Sequence, residues 1–242
     1  MKLQSIFLTA AILVASSVAG AAEFWQDIPT DGTSINGNLR NDKANGGGFS
    51  GVNVTGYNGV GGQFDGYFWT GAASPTPADA FFRFFCIQLS EHATVGPVTY
   101  AASVLNDDDL RKLYDVAYPN DTAADFWNSG KTNFGEFSSA TMSAAFQVAV
   151  WNIVFDNDLD LASGSFKWTG ASSAVSTAAQ GLLDQVASYS ATSYTHWTLY
   201  QFVNRGQQDY VAATYRVPEP GALGLLGLGL LAAALAGRRR RR

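Results

Sequence analysis

The chain has 242 residues, 47% of them hydrophobic and 14% charged, a balance that suits a packed globular body and excludes a disordered one. Its net charge is −5, but the basic residues crowd at the end: from Ala22 to Val217, nine Lys and Arg face nineteen Asp and Glu, a net of −10. A body of that sign repels phosphate and is not a nucleic-acid binder, and its single cysteine, Cys86, excludes an internal disulfide framework.

Residues 1–22 read as a secretory signal peptide, with Lys2 as the positive start, Ile6 to Ala15 as the apolar core and Ala19-Gly-Ala21 as the small-residue site for signal peptidase. The exported body is then 23–216, long enough for one well-filled domain, and 217–242 is a separate tail. The body reads as α+β: a β-rich start, a central buried helix plus amphipathic helices, and a C-terminal strand pair.

Asn36 to Gly66 is rich in Gly and Asn. Val52-Asn-Val54 and Phe64 to Trp69 read there as hairpin strands joined by tight turns. Ser74 to Pro77 is a turn. Phe81 to Leu89 reads as a strand; on period two, Phe82, Phe84, Cys86 and Gln88 share one face, and Phe81, Arg83, Phe85, Ile87 and Leu89 the other. Both faces are mostly apolar, which predicts a strand covered on both sides and a shielded Cys86.

Asn106-Asp-Asp-Asp109 precedes Leu110, Leu113, Val116 and Ala117. The acids suit a helix N-terminus, where the dipole favours them; a metal site is the other reading. Pro119 to Gly135 is a polar connection, after which Ser138 or Ser139 caps the next helix. That helix contains Ala145 to Asp156 and is apolar almost all the way round, so it should be buried. Gln147 is the polar exception on a face shared with Ala144, Val150, Trp151 and Val154. Left unpaired, a buried carboxamide costs about 1–3 kcal/mol, so Gln147 needs a partner. Asp156-Asn-Asp-Leu-Asp160 closes the helix either as a solvated turn or as the start of a calcium loop, with Leu161 where that loop wants glycine and Lys167 where it wants glutamate.

Ala174 to Ser188 has the spacing of an amphipathic helix. Tyr194 to Val203 and Tyr210 to Val217 read as two strands around a turn at Asn204-Arg-Gly206. The aromatics Tyr194, Trp197, Tyr200 and Tyr210 are either core or a face that stacks on sugars. No acid–base pair is spaced for catalysis and no cofactor motif occurs, so the expectation is a binding or structural protein, not an enzyme.

In the tail, Val217-Pro218-Glu219-Pro220 is followed by an apolar segment, Gly221 to Gly237, and then by Arg238 to Arg242. Seventeen apolar residues lie at the short limit of a membrane span, and the arginines would stay on the cytoplasmic side. This three-part order resembles the PEP-CTERM sorting signal of Gram-negative bacteria. The resemblance implies a membrane exosortase that recognises Pro218, Glu219 and Pro220, inner-membrane anchoring by 221–237 until processing, and a cell-surface or matrix destination linked to exopolysaccharide and biofilm.

An exported protein usually pairs its cysteines, so a solitary Cys86 needs a reason. It is a small buried hydrophobe, a nucleophile served by His92 or His196, or a thiol that has attacked Gln147, expelled ammonia and left an internal thioester. Phe85-Cys86-Ile87-Gln88 together with Gln147-Val-Ala-Val-Trp151 resembles the thioester domain of Gram-positive surface adhesins. That resemblance makes Cys86 the thiol donor, Gln147 the acyl donor and Trp151 a packing residue, with Phe82, Phe84 and Trp151 shielding the bond, and it implies covalent adhesion to amine-bearing targets. Phe146 stands where those adhesins often carry threonine. The competing expectation is a non-covalent structural or carbohydrate-associated matrix protein with Cys86 in its core.

Overall fold

The computed structural model describes residues 33–41, 52–54, 57–59, 62–70, 81–118, 137, 139–166 and 172–215. The signal peptide, the Ser74–Pro77 turn, the Pro119–Gly135 connection and the sorting tail lie outside them.

Strand-forming segments from both ends of the body meet in one sheet. β1 (Ile35–Asn41) is followed by a small hairpin of β2 (Val52–Val54) and β3 (Tyr57–Gly59), then by β4 (Phe64–Trp69), β5 (Phe81–Cys86) and β6 (Gly96–Leu105), with β7 (Trp197–Val203) and β8 (Tyr210–Tyr215) at the far end. β1, β4, β5, β8, β7 and β6 close in that order into an antiparallel barrel, because β1 pairs with both β4 and β6. Closure leaves these strands without a free edge. Alternation sends Phe64, Phe68, Phe84, Phe202 and Tyr210 into the barrel, where Phe64 stacks on Phe84 at 5.7 Å and Phe68 meets Phe202 at 5.1 Å.

β6 corrects the sequence reading, which assigns nothing between Leu89 and Asn106. Ten residues there form a strand. Val98, Tyr100, Ala102 and Val104 do alternate, but Pro97 and the small residues Ala101, Ala102 and Ser103 weaken the strand signal. Two boundaries also move. β5 ends at Cys86, not Leu89, and Ser193–His196 is a turn of 3-10 helix in front of β7.

On the outer face of the barrel, α1 (Asp108–Ala117) packs against β7, α2 (Ala140–Phe155) packs against β5, and α3 (Ser173–Ala187) packs against both helices. Asp107, Ser139 and Ser172 cap them, each side chain accepting from the N–H three residues on. The acids in the first turn of α1 are paired, Asp108 with Arg111 and Asp109 with Lys112, each at 2.7 Å. α2 is buried continuously from Ser143 to Ile153, as its all-round apolarity predicts. Val154 and Phe155 are the exceptions, 37% and 42% exposed at the end of the helix.

The loop after α2 is held by its own acids. Asp156 accepts from the Ser165 N–H at 2.9 Å and the Phe166 N–H at 2.5 Å. Asp158 accepts from Asn152 Nδ2 at 3.0 Å and the Asp160 N–H at 3.1 Å. The Ser163 hydroxyl, ahead of these, holds the Asp158 carboxyl below the usual range. Partial burial pushes Asp156 the other way, but its Ser165 and Phe166 donors outweigh that and hold it low too. Among the described residues, no three His, Cys, Asp or Glu side chains converge to hold a metal. Gly164 makes the loop possible: its φ is +70°, and a Cβ there would overlap the Asp156 carboxylate. Gly164→Ala is expected to lose about 1–3 kcal/mol in chemical denaturation; a change near zero would show that the loop adds nothing to stability.

Candidate functional site

β4 and β5 pair from Tyr67↔Phe81 to Phe64↔Phe84 and stop there, because Phe64 is the first residue of β4. β5 continues to Cys86. On its other side, Cys86 lies opposite Tyr210 of β8, and the bond beside them runs from the Ile87 N–H to the Asp209 carbonyl at 3.0 Å. Cys86 and Tyr210 are therefore a non-hydrogen-bonded pair, with their side chains close and the Cys86 backbone groups turned away from β8. Those groups face the gap where β4 has ended.

Gln147 fills the gap. Its Oε1 accepts from the Cys86 N–H at 2.8 Å, and its Nε2 donates to the Cys86 carbonyl at 2.7 Å. The carboxamide replaces one residue of the missing strand. Ser143, one helical turn earlier, does the same next door: its Oγ accepts from the Gln63 N–H at 2.8 Å. The helix is pinned here by Phe146, whose ring lies 4.5 Å from Phe85, 5.0 Å from Tyr114 and 5.2 Å from Phe137.

The structure thus brings together the two residues singled out by the sequence. Gln147 is 0% and Cys86 2% exposed. Burial pushes the Cys86 thiol well above its ordinary pKa, so it is neutral at rest. Its walls are aromatic. Phe84 shares its face of β5, and Tyr210 sits 4.7 Å from Phe84, 5.6 Å from Phe64 and 5.8 Å from Tyr100, ring to ring. Trp151 is buried one turn beyond Gln147, its ring 6.2 Å from Phe166. The Phe82 side chain and Pro218, Glu219 and Pro220 lie outside the described residues. The sequence missed Phe64, Tyr100 and Tyr210 as neighbours of Cys86. For Tyr100 the alternation of β6 was the available signal; for Tyr210 only the strand register identifies it.

A sugar-stacking face on the last two strands is overturned. Trp197, Tyr200 and Tyr210 are core: Tyr200 and Tyr210 share the barrel-interior face with Phe84, and Trp197 packs against Tyr114 of α1. Tyr194 alone is half-buried, beneath Lys112.

Chemically, the site holds a carboxamide against the backbone of the residue that carries the buried thiol, with the carboxamide carbonyl polarised by that residue's N–H. Any charge that developed on Oε1 would meet a donor already in place.

The chain matches no curated protein and no solved structure. Residues 216–241 match the PEP-CTERM protein-sorting motif; the chain carries the signal of an exported protein sorted at the membrane by an exosortase.

Proposed function

We propose that the protein is a cell-surface or matrix protein that binds amine-bearing targets covalently through a Cys86–Gln147 thioester. The observation that carries this reading is the pairing of Gln147 Oε1 and Nε2 with the backbone of Cys86. Cys86 Sγ attacks Gln147 Cδ, the charge on Oε1 is held by the Cys86 N–H, and the C–N bond breaks. The thiol proton leaves with the amide nitrogen as ammonia. A target amine then attacks the same carbon, the C–S bond breaks, and the amine proton passes to sulfur. Each molecule reacts once, so the protein is a binder and not an enzyme, and it needs no cofactor. Aromatic walls slow hydrolysis in the meantime. The setting is a Gram-negative envelope, with 221–237 as inner-membrane anchor until exosortase processing, and the partner is an amine-bearing surface molecule.

A second reading is favoured by the same bonds. Both polar ends of the Gln147 carboxamide are already satisfied, so the pair also serves as a purely structural clamp in a non-covalent matrix or biofilm protein that meets exopolysaccharide by its surface. Intact mass of the purified exported protein separates the two. A mass short by one ammonia, changing on methylamine treatment to that of the methylamine adduct with one new free thiol, is the expected result. A mass equal to the sequence, with the Cys86 thiol free on denaturation and no methylamine uptake, leaves the structural clamp.

A further inference from the structure

The bonds that seat Gln147 are selective for a primary amide. Cys86 offers its N–H and its C=O side by side on one edge of β5, and Gln147 meets both with one planar group. For Oε1 to accept and Nε2 to donate in the same direction, the donated hydrogen must lie on the same side of the C–N bond as Oε1. A primary amide always has a hydrogen there. A secondary amide in its trans form, the overwhelmingly preferred one, carries carbon at that position and its hydrogen on the opposite side. The 2.7 Å between Nε2 and the Cys86 carbonyl oxygen leaves no room for a carbon on that line.

We infer that target capture, if it follows the thioester route proposed above, bars Gln147 from returning to its two-bond seat in the β4–β5 gap and leaves that part of the barrel wall open. Aminolysis by any primary amine leaves an N-substituted Gln147, which cannot rebuild both bonds to Cys86. The Cys86 C=O gives up its Nε2 donor when ammonia leaves on thioester formation, the N-substituted amide cannot restore it, and the neighbouring contact from Gln63 to Ser143 stays loosened with the same turn of α2. The captured and primary-amide forms therefore differ in structure at a defined place, and the barrel wall reports capture.

The test compares two amines that differ by one methyl group. The exported protein carrying the thioester is treated with ammonia or with methylamine. Both break the C–S bond and free the same thiol, but ammonia regenerates the primary amide. Amide hydrogen exchange is then followed at Cys86 and Gln63. Expected is full protection in the ammonia product and exchange faster by about tenfold or more in the methylamine product, with protection in β6 and α3 unchanged. Equal protection in the two products overturns the inference and leaves the thioester reading intact. A starting protein with no ammonia deficit in its mass overturns that reading itself, and the inference with it.

Discussion

Replacing Gln147 with alanine should destabilise the protein by about 3–5 kcal/mol, since two buried backbone groups at about 1–3 kcal/mol each lose their partner and a small cavity opens. The groups are the N–H and C=O of Cys86, for which Gln147 supplies the bonds that β4 would have made. Water is a poor substitute, because Cys86 is 2% exposed and its inner face is walled by rings. Chemical denaturation measures the loss; a change below about 1 kcal/mol would mean that the gap relaxes around the smaller side chain.

Gln147→Glu tests the same bonds through pH. An ionised carboxylate keeps the acceptor for the Cys86 N–H but sets a second oxygen against the Cys86 carbonyl, and burial adds to the penalty. The carboxyl must then hold its proton more tightly folded than unfolded, where its pKa is about 4.3. A raised folded pKa means that the native state binds the extra proton, so stability falls as pH rises above the unfolded value. The variant should approach the wild type near pH 4 and lose ground steadily toward neutrality. A flat difference across that range would show that the donor at Nε2 is dispensable.

These effects centre on the one junction that was most legible in the sequence. Gln147 stood out because a carboxamide on an otherwise apolar helix has to be paired, and Cys86 because an exported chain has no ordinary use for one thiol. The helix starts at Asp107 and Ser139 were readable too, since capping depends on a few adjacent residues; the cap at Ser172 was not singled out. What surrounds Cys86 was not. Tyr210 lies 124 positions further on, and only the register Cys86↔Tyr210 makes them neighbours. Barrel closure was hidden for the same reason: it depends on β1 pairing with β6, and neither reads plainly as a strand, β1 for its Gly and Asn and β6 for Pro97 and its run of small residues. The bond type between Cys86 and Gln147 adds a further layer, because it depends on chemistry after folding, while the strand-end vacancy that draws Gln147 in depends on where β4 begins.

Phe146→Ala should cost about 3–5 kcal/mol, the range for deleting a fully buried phenylalanine ring, and it should disable the site as well. Phe146 is 0% exposed, and its ring contacts account for the residue type at this position. Its ring is enclosed by Phe85 of β5, Tyr114 of α1 and Phe137, so it fastens α2 to the barrel one residue before Gln147. A threonine there would leave most of that space empty, so Phe146→Thr should recover little of the loss. Phe146→Leu, which keeps most of the volume, should recover more than half of the loss. Val154→Ala, near the exposed end of the same helix, should change stability by less than about 1 kcal/mol and leave the site untouched. Denaturation of the four variants, with exchange at the Cys86 N–H as the second readout, checks the set. If Phe146→Ala destabilises as expected while Cys86 stays fully protected, Gln147 is positioned by its own two bonds and Phe146 serves the fold alone. Loss of protection well beyond the global loss of stability would make Phe146 the residue that aims Gln147.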